Sequence, residues 1–83
     1  MTSIQVEVDG LEEMRIACRL PAPRVARSIR RTAGVTQDAL ATAVGVHRVT
    51  LARWEKGTSE PRGAHRVQYV RILEELRSAA VAS

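Results

Sequence analysis

The stretch Gln37 to Trp54, QDALATAVGVHRVTLARW, decides how this chain is read. Leu40 and Val44 stand four residues apart and so share one face of a helix. Val46, Leu51 and Trp54 return an apolar face on the far side of Gly45. Ala41 falls between the two faces, where a larger side chain would hold crossing helices apart. Gly45 offers a positive φ at the turn because it has no Cβ to clash. Each match alone is weak, but together they specify two short helices crossing steeply through a tight turn.

Working outward, Thr36 is an N-cap candidate for a first helix reaching about Val44. A second helix runs from about His47 to Glu55 and stops before Gly57. Lys56 to Gly63 is rich in Gly, Ser, Thr and Pro and reads as a loop, after which Ala64 to about Ala80 forms one long final helix. The apolar residues of that helix, Val67, Tyr69, Val70, Ile72, Leu73, Leu76 and Ala80, cover an arc wider than one neighbour needs, so a second partner surface is expected. Upstream, Pro21 and Pro23 mark a helix start, because an N–H missing from the first turn would have had no partner there. Val25, Ile29 and Ala33 follow at four-residue steps as an apolar stripe among Arg24, Arg27, Arg30 and Arg31. Gly34 closes this helix as a left-handed cap would.

The first twenty residues read differently. Ile4, Val6 and Val8 alternate with Gln5, Glu7 and Asp9, the period of a strand with one apolar face. From Asp9 onward two readings compete. A helix would have Asp9 as N-cap, Glu12 and Glu13 in its first turn and Arg15 and Arg19 near its end, all matching the helix dipole. A hairpin turning near Asp9 to Glu13 would instead set Met14, Ile16, Cys18 and Leu20 on one face of a second strand. The helix is preferred. The strand itself could be a dimer edge or a tether packed on its own domain.

With 83 residues and 9.1 kDa the chain has room for one domain, with a core too modest for a deep catalytic cleft. Phe is absent, and Trp54 and Tyr69 are the only aromatic residues, so the core must come from Val, Leu, Ile and Ala, which favours packed helices. The net charge of +4 is unevenly placed. Residues 1–13 hold Glu7, Asp9, Glu12 and Glu13 and no base, giving −4, whereas residues 14–83 hold all 13 bases against the remaining five acids, giving +8. The basic part is the expected polyanion binder. Twelve of the 13 bases are Arg, whose planar guanidinium grips a phosphate or a guanine edge through two parallel hydrogen bonds.

At this point the stretch GVTQDALATAVGVHRVTLARWEKG, followed by the loop containing Pro61, resembles the lambda repressor and Cro type of helix-turn-helix family, also called the XRE family. The resemblance covers roughly Val25 to Tyr69. It implies an all-α, lambda-repressor-like bundle of about five helices, in which the second motif helix enters the major groove of double-stranded DNA and the first crosses the backbone. Residues 21–83 would form that DNA-binding domain, and residues 1–20 an extension, strand then helix, with no counterpart in the shortest family members.

Matched position by position, the resemblance implies that Gln37 bonds a phosphate and positions the protein without reading sequence. His47, Arg48, Val49, Thr50 and Arg53 fall on the exposed face of the recognition helix. Arg48 and Arg53 are expected to reach guanine O6 and N7, and Val49 a thymine methyl. Lys56, Thr58, Ser59 and Arg62, in the following loop, are candidates for phosphates beyond the groove. Arg30 and Glu55 match positions that pair in the family and would fix where the reading helix points.

Competing chemistries find less support. His47 and His65 lie in different elements without a Cys or carboxylate ligand set, so neither a metal nor a cofactor is expected. Trp54 faces inward in the motif and is assigned to the core rather than to base stacking. Cys18 is the only cysteine, which excludes an intrachain disulfide, and it is expected as a small buried apolar residue. No glycine-rich phosphate loop or Ser-His-acid arrangement stands out, and the chain is read as non-enzymatic. No apolar run approaches the roughly 20 residues that span a bilayer, and a basic start followed by an apolar stretch is missing, so a cytoplasmic, nucleoid-associated protein of prokaryotic or phage type is expected.

One such motif makes few base contacts. A homodimer on a pseudo-palindromic operator, with half-sites roughly 34 Å apart, is therefore the expected partner arrangement. Repression by occluding RNA polymerase is the simplest mechanism and rests on family analogy. Two alternatives carry distinct expectations: an antitoxin using residues 1–20 to hold a protein partner, and an adaptor that has lost DNA binding, which would show an acidic or apolar recognition face in place of Arg48 and Arg53.

Overall fold

The computed structural model describes residues 2–82, with side chains described from Gly10 to Val81. Five helices follow one another: α1 (Thr2–Ala17), α2 (Pro23–Thr32), α3 (Gln37–Val44), α4 (Arg48–Lys56) and α5 (Gly63–Ala82). The all-α bundle expected from the sequence is the observed architecture, and among the described residues there is no strand.

The ends of the helices follow local chemistry. Thr36 sits in extended backbone and its Oγ1 accepts the N–H of Ala39 at 3.1 Å, which satisfies one of the first free donors of α3. Gly45, at φ 92°, ends α3 in the left-handed region, and the N–H groups of Gly45 and Val46 both return to the Ala41 carbonyl. After α2, Gly34 and Val35 donate backward to Arg31 and Arg30, the paired bonds of a Schellman cap. Gly57 and Thr58 repeat that arrangement on Trp54 and Arg53 after α4.

The main core holds Ala26 of α2, Leu40, Ala41 and Val44 of α3, Leu51 and Trp54 of α4, and Tyr69 and Leu73 of α5. Trp54 and Tyr69 stack at a tilt of 43° with ring centroids 5.0 Å apart, a separation at which aromatic pairs attract. The small Ala41 lies buried where α3 and α4 cross, as its position in the motif required. A second, smaller cluster joins Ile16 of α1 to Val67 and Val70 of α5. The wide apolar arc of α5 therefore serves two neighbours. Tyr69 and Leu73 meet the main core, while Val67 and Val70 meet α1.

Three expectations are corrected. The alternating stretch Ile4 to Val8 is not a strand but lies within α1, and Asp9 stands inside that helix rather than capping it. A lone strand needs a neighbour to satisfy its N–H and C=O groups, whereas a helix satisfies them internally and extends from a turn already anchored, here by Ile16. The buried stripe of α2 is also displaced by one position. Ala26 and Arg30 face the core, Ile29 and Ala33 are half-buried, and Val25 is exposed. The four-residue step holds, but it runs through Arg30, a charged side chain buried only because Glu55 pairs with it. Finally, Cys18 is exposed: it stands in the turn that follows α1, outside both core clusters.

Two long-range side-chain contacts hold the N-terminal helix on the bundle. The Arg66 guanidinium donates from Nε to the Ala17 carbonyl at 2.8 Å, closing a free acceptor at the end of α1. Just beyond, Arg19 donates to both carboxylate oxygens of Glu74 at 2.7 and 3.1 Å. That bond holds the Glu74 carboxyl below the usual carboxylate range and raises the Arg19 guanidinium.

Candidate nucleic-acid interface

The candidate interface is built on α4, whose inner face is anchored before its outer face can act. Leu51 and Trp54 bury one side of the helix. On the other side, helical spacing gathers Arg48, Val49, Arg53 and Lys56 into one outward arc, all exposed to solvent. Thr50 is half-buried on the flank next to that arc, so less of it is presented than the sequence implied.

His47 has a structural task that sequence reasoning missed. It is the N-cap of α4, with extended backbone, and its Nδ1 accepts the N–H of Val49 at 3.1 Å. An imidazole whose Nδ1 accepts carries its proton on Nε2, so the exposed edge of the ring is a hydrogen-bond donor. Histidine falls outside the usual Ser, Thr, Asp and Asn set of caps, which is why the sequence pattern suggested only a polar contact residue.

Beneath the arc lies a buried polar cluster. The Arg30 Nε and Nη2 atoms donate to the two oxygens of Glu55 at 2.6 and 3.0 Å, and Nη1 donates to the Val35 carbonyl at 2.9 Å. The two side chains are only 11% and 2% exposed, so both charges depend on each other for the solvation that water would otherwise supply. This contact ties α2, through Arg30, to the last turn of α4, through Glu55. At the other end of α2, the side chain of Pro23 would lie 3.5 Å from a Cβ placed on Gly57. Helix α4 is thus gripped at its C-terminal end by both termini of α2.

Gln37 joins the same cluster. Its Nε2 donates to Glu55 Oε1 at 3.0 Å, so the amide is held at the start of α3 rather than left free. No local pattern signals this bond, because Gln37 and Glu55 lie 18 residues apart and meet only through the crossing of α3 and α4. Asp38 was also overlooked. Exposed at the first turn of α3, it lies 3.9 Å from Arg48 across the α3–α4 groove, a loose pair that leaves the guanidinium able to swing.

Of the loop candidates, Lys56, Thr58, Ser59 and Arg62 are all exposed. Thr58 is partly committed, since its Oγ1 donates to the Arg53 carbonyl at 3.3 Å. Behind the cluster, Tyr69 Oη is buried without a hydrogen-bond partner among the described residues. Burial first, and then the nearby Glu55 carboxylate, pushes this phenol up to about 12, with Arg30 acting in the opposite direction.

Two short helices crossing at a left-handed glycine, with the second presenting a cationic arc and its underside locked in a bundle, define a helix-turn-helix DNA-binding module. Residues 27–74 match the family model described as Helix-turn-helix, of the XRE and lambda-repressor type, and the chain belongs to that family. It is accordingly a DNA-binding domain of a transcription regulator, in a family whose role is regulatory rather than enzymatic. No curated protein and no solved structure matches the chain significantly. Among the described residues no helix is long and apolar enough to cross a membrane.

Proposed function

We propose that the chain is a sequence-specific repressor that binds a pseudo-palindromic operator as a homodimer, reading bases with Arg48 and Arg53. The observation that carries the reading is the outward arc of α4, two exposed arginines flanking Val49 on a helix whose opposite side is wholly buried. A guanidinium at either position can bond guanine O6 and N7 together, and Val49 can meet a thymine methyl. His47 adds a donor at the helix start, while Lys56, Thr58, Ser59 and Arg62 follow the phosphates past the groove. Gln37 contacts the backbone from α3, pre-aligned by Glu55. Occlusion of RNA polymerase by the bound dimer requires no further domain, and such a protein would work inside the cell.

Selection of bound duplexes from a random pool tests this reading. A two-fold symmetric site with half-sites about one DNA turn, roughly 34 Å, apart is expected. Recovery of no consensus, or of a single asymmetric half-site, would contradict sequence-specific binding by a dimer.

A second reading, an antitoxin that autoregulates its operon, draws on the exposure of Leu11 and Met14 on α1, apolar side chains available to a protein partner. It requires that removing residues 1–20, Leu11 and Met14 among them, abolish neutralisation of a toxin and leave operator affinity largely intact. Equal loss of both functions would exclude it.

A further inference from the structure

Two complementary surfaces in this molecule do not meet within one copy. The first is a groove of about 620 Å³ between α2 and the last turns of α5. Val25, Ile29 and Val81 supply its apolar lining, and Arg24 and Arg77 its charge. Val25 and Val81 are 42% and 83% exposed, and among the described residues neither Arg24 nor Arg77 has an ion-pair partner. The second surface is α1. Residues 1–13 carry four acids and no base, and Leu11 and Met14 stay 51% and 64% exposed after Ile16 has packed on α5.

The placement of α1 shows why its own groove is out of reach. Gly10 and Met14 share a cleft with Gly63, Ala64 and Val67, whereas Ile16 packs on Val67 and Val70. Helix α1 therefore advances in the same sense as α5, and Thr2 to Asp9 continue past the start of α5. The groove lies at the opposite end. Between Val67 and Val81 the helix rises roughly 21 Å at about 1.5 Å per residue, and α1 heads the other way. Within one copy α1 does not reach it, whereas the α1 of a second copy can.

We infer that two copies exchange their N-terminal helices, each acidic α1 docking in the partner's groove between α2 and α5 with its carboxylates against Arg24 and Arg77. The inference rests on the dimer reading above and names its interface. Charge complementarity selects this occupant: the helix that arrives carries the acidic residues 1–13, and it meets a basic rim, without an ion-pair partner among the described residues, around an apolar floor. The exchange also leaves the α4 arc uncovered, since none of Arg48, Val49 and Arg53 lines the groove. Exposed charges at the rim are screened by salt, so dimerisation weakens as ionic strength rises.

Sedimentation of the full chain, alone and with an operator duplex, tests the exchange. Arg24→Glu/Arg77→Glu is expected to weaken dimerisation at least about tenfold, the equivalent of about 1.4 kcal/mol, and adding Glu7→Arg/Asp9→Arg to the same chain to restore it. Both arginines are exposed, and an unchanged far-ultraviolet circular dichroism spectrum confirms that the variants fold. Dimerisation of Arg24→Glu/Arg77→Glu at wild-type strength would overturn the exchange and leave the dimer standing on another face. Loss without rescue would also overturn it, by separating the arginines from α1. A wild-type chain that stays monomeric both free and on the operator would overturn the dimer reading and the exchange together.

Discussion

Arg30 is the residue on which the geometry of the interface turns. It donates three hydrogen bonds, two to Glu55 and one to the Val35 carbonyl, from a position next to Ala26 on the buried face of α2. A buried pair of this kind adds little net stability compared with a well-packed apolar substitute, but removing one partner strands the other charge. Arg30→Ala is therefore expected to destabilise the domain by about 3–5 kcal/mol, and to weaken DNA binding because Glu55 then no longer fixes the end of α4. Thermal unfolding checks this, and an unchanged melting temperature would refute the structural role.

Tyr69 offers a second test at the same scale. It is the only tyrosine, so its ultraviolet titration is unambiguous. In the unfolded chain the phenol ionises near its ordinary value of 10.0, whereas in the folded protein it is pushed up to about 12. Between those values the unfolded state has lost a proton that the folded state keeps, so stability falls as pH rises from about 10 through about 12. Tyr69→Phe removes the unpartnered hydroxyl and should flatten that alkaline decline. A folded protein whose tyrosine titrates at its ordinary value would contradict the burial of the hydroxyl.

At the scale of the helices, much was legible because local chemistry decides it. Thr36 and Gly45 announce the ends of α3 by their own side chain or lack of one, and the apolar spacing of Leu40, Val44, Leu51 and Trp54 fixes which faces meet. What escaped was set by tertiary contact. The period of Ile4, Val6 and Val8 favours a strand, but no neighbouring strand is present among the described residues, and the helix nucleated beside Ile16 prevails. Arg30 could be read as core only with Glu55 in place, and His47 as a cap only with its Nδ1 on Val49. The turn itself can be tested. Nothing lies within 4 Å of a Cβ built on Gly45, so Gly45→Ala tests backbone strain alone at φ +92°. The substitution should cost about 1–2 kcal/mol, and Gly45→Asn less. Equal stability of the alanine variant in chemical denaturation would contradict the left-handed turn.

At the scale of the whole molecule, three helices, α2, α3 and α5, hold the α4 arc at a fixed attitude. Helix α2 grips its C-terminal end, α3 crosses beneath it, and α5 closes the core through Tyr69 and Leu73. The charge division serves the same end: the basic body is left to face a polyanion, and the acidic α1 sits on α5 through Ile16. Rigidity of this kind matters because base reading requires the guanidinium groups to arrive already aligned, whereas phosphate attraction alone tolerates a loose fit.

The most direct measurement is the affinity of Arg53→Ala for the selected operator and for a scrambled duplex, at one salt concentration. If α4 reads bases, the variant loses about 1–3 kcal/mol on the operator, relaxes preference at one base pair, and loses far less on scrambled DNA. Equal loss on both duplexes would make Arg53 a phosphate contact and contradict the claim that α4 reads sequence.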